Sequence, residues 1–163
     1  MNFFSKLFKR NQKKIDIIAP ISGTIIDLEK VPDEVFSKKI VGDGIAINPS
    51  GNQLVAPFSG TIGKIFKTLH AFSIKSDDDI ELFVHFGIDT VQLKGKGFKN
   101  LINKKRKVQV GEPIISLDLL FLKKNAVSTI TPIIISNMEK IKKINKFSGK
   151  VIEGKTKIMT ILK

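Results

Sequence analysis

Apolar and polar positions alternate along much of this chain. They do so most regularly in Ile80–Thr90, which reads Ile-Glu-Leu-Phe-Val-His-Phe-Gly-Ile-Asp-Thr. Ile80, Leu82, Val84 and Phe86 fall on one face; Glu81, Phe83 and His85 fall on the other. A period of two over this length predicts a β-strand. His85 then stands beside Phe83, opposite the aliphatic row, with Gly87 ending the strand and Asp89 on the loop that follows. An imidazole held this way is either a satisfied core histidine or a placed chemical group.

The same alternation, punctuated by Gly and Pro, predicts strands at 15–19, 24–28, 44–48, 61–66, 72–75, 107–110, 114–117, 133–136 and 157–162. Only 98–103 and 119–126 read as helices, and both are short. Ala19-Pro-Ile-Ser-Gly-Thr-Ile25 recurs thirty-seven residues later as Ala56-Pro-Phe-Ser-Gly-Thr-Ile62, and Phe147-Ser-Gly-Lys-Val151 is a fainter third copy. Each is a turn that opens a strand: Pro fixes φ, Gly supplies the bend, and β-branched residues pair. The expectation is an all-β protein, an antiparallel β-sandwich or half-barrel built from an internal hairpin repeat, with one or two short helices. Between the first two copies, Val35, Phe36, Ile40, Val41 and Ile45 crowd a loop-rich stretch. Such a loop either folds down as a lid on the core or serves as a docking surface.

Thr68-Leu-His70-Ala-Phe72 places the second histidine fifteen residues before the first. A strand, an acidic turn (Asp77, Asp78, Asp79) and a second strand fill that interval as a hairpin. His70 and His85 are therefore expected side by side on neighbouring strands.

Composition narrows the chemistry. The 163 residues suit one domain, assigned to 15–163, with residues 1–14 as a tail. That tail carries Lys6, Lys9, Arg10, Lys13 and Lys14 with no acid, and Phe3, Phe4, Leu7 and Phe8 at helical spacing. It is either a disordered tail or a basic amphipathic helix making peripheral contact with an anionic membrane. There is no Cys, so no disulfide framework and no thiolate chemistry. No run is long enough for a spanning helix and no cleavable signal is evident, so the cytoplasm is the expected compartment. The formal net charge of +13 raises nucleic acid as a partner. Yet the cations are nearly all Lys, and no aromatic-basic alternation offers bases a stacking platform. A solvated basic surface, with no nucleic-acid partner, is the expectation.

Two imidazoles support several chemistries. A serine hydrolase would need a nucleophile elbow, and no Gly-x-Ser-x-Gly occurs. A zinc peptidase needs three protein ligands, and neither His-Glu-x-x-His nor His-x-His is present. Half a zinc site completed by a partner's carboxylate stays open. So does a phosphohistidine, since a neutral imidazole is nucleophilic near pH 7 and phosphoryl transfer asks mainly for positioning and charge stabilisation.

Glu81-Leu-Phe-Val-His85-Phe-Gly-Ile-Asp-Thr90, followed by Leu93-Lys-Gly-Lys-Gly-Phe98, resembles the phosphorylation motif of the glucose-type enzyme IIA family. These are carriers of the bacterial phosphoenolpyruvate-dependent sugar phosphotransferase system. The likeness extends through Lys39–Ile47, Gly60–Phe66, His70–Ser73 and Thr131–Asn137, and covers essentially residues 15–163. It implies an antiparallel β-sandwich, acting as a monomer, with both histidines in a shallow apolar depression. By carry-over, His85 accepts phosphate from phospho-HPr and passes it to a cysteine on the IIB domain of a membrane sugar transporter. His70 stabilises the phosphoryl group and Thr68 positions His70. Phe36, Ile40, Val41, Ile45, Phe66, Phe83 and Val91 match the apolar docking rim; Asp33 and Asp89 match carboxylates that meet basic partner residues. The resemblance implies no required cofactor, zinc shared between His70, His85 and a target's Glu, and regulatory protein targets for the unphosphorylated form. It also places the carrier transiently at the inner face of the membrane.

Two departures from the family pattern stand out. Asp79 replaces the usual Gly six residues before His85, and Lys67 and Lys75 fall near His70 in sequence. Other classes are biotinyl- or lipoyl-type carriers, for which Asn137-Met-Glu-Lys140 lacks the second Met, and a basic nucleic-acid-binding β module.

Overall fold

The computed structural model describes residues 12–163; the tail expected at 1–14 lies largely outside the described residues. Strand β1 (Lys14–Ile18) begins one residue before the expected start. The chain continues through β2 (Gly23–Asp27), β3 (Asp43–Pro49), β4 (Gln53–Val55), β5 (Gly60–Ile65), β6 (Ala71–Ser76) and β7 (Glu81–His85). It ends with β8 (Phe98–Asn100), β9 (Lys107–Val108), β10 (Pro113–Leu117), β11 (Thr131–Ile135), β12 (Lys143–Lys146), β13 (Lys150–Val151) and β14 (Lys157–Leu162). All pairings between these strands are antiparallel. An eight-stranded sheet, ordered β13-β2-β3-β11-β7-β6-β5-β9, packs with two three-stranded sheets, β1-β14-β12 and β4-β10-β8. This is the antiparallel β-sandwich that the resemblance implied, and one of the two architectures, sandwich or half-barrel, that the alternation left open.

The repeat is visible in the hydrogen bonding. Ile18 N–H donates to Pro57 O (2.9 Å), and its counterpart Val55 N–H donates to Pro20 O (2.8 Å). Gly154 and Gly111 likewise donate to Ala19 O and Ala56 O. Ser22 and Ser59 each accept from a backbone N–H of the returning chain, at Glu153 and Val110. The two Ala-Pro turns thus cross as near-symmetric partners, with both alanines fully buried.

The central sheet has two apolar faces. Leu82, Val84, Ile133, Ile135, Ile45 and Ile47 point into the main core. On the reverse face, Ala46 and Ile134 join Phe83 beneath a smaller cluster of Leu28, Val31, Phe36 and Ile88. Phe36 and Val31 belong to the apolar loop, which folds down through a short helix, Glu34–Ser37, N-capped by Asp33 Oδ1 accepting from Val35 N (2.8 Å). Val35, Ile40 and Val41 of the same segment stay exposed. The loop is therefore a lid on one side and a free apolar surface on the other.

Of the two expected helices, 119–126 forms as Leu119–Asn125. The segment 98–103 does not. It is β8, paired with β10, and then a turn in which Asn100 Oδ1 accepts from Ile102 N and Asn103 N. Gly95 and Gly97, both near φ +88°, interrupt the backbone just upstream, and a side chain that satisfies its own following N–H groups competes with helix.

Candidate functional site: a pair of facing imidazoles

Strands β6 and β7 form the predicted hairpin, in a register that sets Ala71 opposite His85 and Lys75 opposite Glu81. Phe86 N–H donates to His70 O at 2.7 Å, so the ladder continues past the strand ends and fixes the two histidines as neighbours. Their rings meet edge to face, with centroids 4.8 Å apart. His70 is buried and His85 half-buried.

Each ring has its Nδ1 occupied. His85 Nδ1 lies 2.8 Å from the Gly87 carbonyl, which can only accept, so Nδ1 carries the proton and Nε2 keeps its lone pair. His70 Nδ1 lies 2.6 Å from Thr68 Oγ1. With the hydroxyl donating, neutral His70 carries its proton on Nε2 and becomes a donor. Burial holds the His85 imidazole below its usual pKa, against the raising influence of the Gly87 bond and of the Asp33 and Asp89 carboxylates. Burial, with His85 as a second contributor, lowers His70 from 6.5 to about 4. Both rings are thus neutral near pH 7. In that tautomer the pair offers one nucleophilic nitrogen and one hydrogen-bond donor.

The surroundings are aromatic. Phe36 lies 5.2 Å from His85, Phe66 lies 5.4 Å from His70, and Phe83 contacts both Phe66 and His85. Phe36 is buried and forms part of the floor, while Ile40, Val41 and Val91 are exposed. Asp89 is exposed at φ +54°, at the start of the turn Thr90–Leu93. Ile45 does not join this group. It is 2% exposed on the main-core face, in register with Val84 through Ile133, and points away from His85. Lys75 is also distant from His70. It lies at the far end of the hairpin, paired with Asp79 (2.6 Å) and facing Glu81. Asp79 takes φ +67°, the left-handed conformation natural to the Gly it replaces, and pairs with Lys140 as well.

Gly87 is a site residue that side-chain reasoning missed, because its contribution is a carbonyl. It stands at φ +69°, where a Cβ would come within 2.6 Å of Thr90 Cγ2 and 2.5 Å of Ser128 O. Thr90 Oγ1 donates to Phe86 O and Ile88 N–H donates to Ser128 O, so this turn is held from both sides. A Gly two residues after a placed histidine was the available signal.

Fold and site together define a β-sandwich that sets two imidazoles face to edge at the end of its central hairpin. A sequence profile of the phosphoenolpyruvate-dependent sugar phosphotransferase system, EIIA 1, matches residues 15–141. The chain belongs to that family, and so is a component of the sugar phosphotransferase system. It is 62% identical over 168 residues to the PTS system glucose-specific EIIA component of Buchnera aphidicola subsp. Baizongia pistaciae, covering 100% of both chains. It is 50% identical to the protein of the same description from Haemophilus influenzae, again covering both completely. Among solved structures, glucose permease IIA from Mycoplasma capricolum superposes with a TM-score of 0.83 at 34% identity, over 98% of this chain and 99% of that one. A PTS system N-acetylglucosamine-specific EIICBA component from Klebsiella pneumoniae is 46% identical over 153 residues, which make up 24% of its length.

No helix among the described residues is long and apolar enough to cross a membrane. Among the described residues no group of three or more His, Cys, Asp or Glu comes together to hold a metal.

Proposed function

We propose that His85 is the phosphoryl-carrying residue, taking phosphate from phospho-HPr and delivering it to the IIB domain of a glucose-type transporter. The observation that carries this reading is the commitment of His85 Nδ1 to the Gly87 carbonyl, which leaves Nε2 with a free lone pair on a half-buried ring. In the first transfer, Nε2 attacks phosphorus as the P–N bond to the donor's imidazole breaks, and the electron pair of that bond leaves with the donor. The ring gains positive character as Nε2 gives up its lone pair, and the Gly87 carbonyl stabilises it through the Nδ1 proton. His70 Nε2–H faces the equatorial oxygens, where charge spreads in the transition state. The second transfer reverses these roles, with a thiolate as acceptor. Phe36, Phe66 and Phe83 shield the phosphohistidine from water, and Ile40, Val41 and Val91 supply the apolar rim around it.

Asp33 and Asp89 serve as the carboxylates that meet basic partner residues. Regulatory targets of the unphosphorylated form would use the same face. Zinc fits only as an ion shared with a partner: His85 Nε2 has a free lone pair, His70 would have to carry its proton on Nδ1 with Thr68 Oγ1 accepting so that its Nε2 could ligate, and a partner carboxylate would have to supply the next ligand. The test of the carrier role is labelling from phosphoenolpyruvate through enzyme I and HPr. His85→Ala should lose the label. His70→Gln should keep it and pass it on about 10²-fold more slowly, the scale for one lost positioned donor.

A further inference from the structure

We propose that the cleft beyond His70 receives an acidic segment of the protein that docks over the imidazole pair. This inference rests on the carrier reading. The cleft has a volume of about 510 Å³; Phe66 and Leu69 contribute to its apolar wall, and Lys67, Lys104, Lys105 and Arg106 line it without any carboxylate. Phe66 belongs to both places: its ring lies 5.4 Å from that of His70 and the residue lines the cleft, so the cleft adjoins the imidazole pair. Lys105 is paired with Glu112 (2.7 Å) and Arg106 donates to Gly63 O (3.2 Å). Lys67 and Lys104, both exposed, have no ion pair among the described residues.

The opposite charge lies on the His85 side. Asp33 and Asp89 are near enough to raise the His85 pKa against its burial. The docking face therefore carries carboxylates on one side of the imidazoles and cations on the other. A nucleic acid or an anionic membrane drawn to the cations would bring its phosphates towards Asp33 and Asp89. A protein bearing a basic patch and an acidic segment satisfies both ends at once, and the two ends fix which way round it docks.

The test compares the wild type with Lys67→Glu/Lys104→Glu and Lys67→Gln/Lys104→Gln, at residues that hydrogen-bond neither imidazole among the described residues. Second-order rates of transfer from phospho-HPr and to the IIB domain are measured at low and high salt. Binding of a fluorescent oligoglutamate peptide, a short DNA duplex and phosphatidylglycerol vesicles is measured in parallel. At low salt, at least one transfer should slow about tenfold or more in the Glu variant and less in the Gln variant, and the gap should close in high salt. Oligoglutamate should bind the wild type, bind the Glu variant more weakly, and inhibit the affected transfer. Unchanged low-salt rates with normal His85 labelling would overturn the proposal, as would tighter binding of DNA or vesicles than of oligoglutamate. If no label reaches wild-type His85, the carrier reading falls, and the oligoglutamate arm still decides the cleft.

Discussion

Two nitrogens and one carbonyl hold the chemistry at the residue scale. The Gly87 carbonyl, which can only accept, keeps the His85 proton on Nδ1, whereas the Thr68 hydroxyl beside His70 Nδ1 can donate or accept and, on the proposed reading, donates. Thr68→Val should leave the fold and His85 labelling intact and slow onward transfer roughly tenfold, because His70 loses the group that holds its donor outward; rapid-quench kinetics would show this. The depressed His70 pKa has a stability consequence of definite sign. The folded protein resists protonating His70 until about pH 4, while the unfolded chain takes that proton near 6.5. Stability should therefore fall as pH drops from 6.5 to about 4, by up to about 3 kcal/mol at roughly 1.4 kcal/mol per unit, and be flat on this account outside that window. Subtracting the urea-melt pH profile of His70→Gln from that of the wild type isolates the effect; equal slopes would remove it. The pairing of the histidines was legible from their spacing across an acidic turn. The Gly87 role was not, since a backbone acceptor leaves no side-chain signature. Ile45 was assigned to the rim by resemblance, which carries over a residue without its face. The parity of Ile45 and Ile47 along β3 puts both in the core.

At the scale of elements, the β6–β7 hairpin and the lid over it do separate jobs. The hairpin sets the histidine spacing, and the turn after β7 aims the Gly87 carbonyl. Gly87→Ala places a side chain at φ +69° against Ser128 and Thr90. It should cost about 1–3 kcal/mol and weaken labelling by disturbing the His85 tautomer, readable by nitrogen-15 NMR of the ring. The lid's exposed edge should behave in the opposite way. Ile40 is 67% exposed, so Ile40→Glu should leave the melting temperature within a degree or so while slowing protein-to-protein transfer. A large fall in melting temperature would mean that Ile40 is structural. Elements with a strong period of two were legible. Strand β12, Lys-Ile-Asn-Lys, was not, because an edge strand whose polar residues protect it from further pairing has no apolar alternation to read. Three-residue strands such as β4 and β8 are shorter than any period that sequence can display.

Over the whole molecule, a duplicated Ala-Pro turn crosses its own copy and anchors a sandwich whose central sheet exposes one histidine-bearing patch. The repeat and the fold class were legible because the two copies share six of seven residues. The distribution of the +13 charge was not, since it emerges only when chain segments distant in sequence meet around Phe66. Zinc should bind the isolated protein weakly, with two imidazoles as its protein ligands. Calorimetry giving sub-micromolar affinity that survives His70→Ala would contradict that. The central claim is that Nε2 of His85 carries the phosphoryl group. Incubation with phosphoenolpyruvate, enzyme I and HPr, followed by tandem mass spectrometry and phosphorus–nitrogen NMR at alkaline pH, reads it directly. The account predicts a single phosphoryl group on His85, bonded to Nε2, with Nδ1 still hydrogen-bonded; stable phosphate on His70, or on Nδ1 of His85, would contradict it.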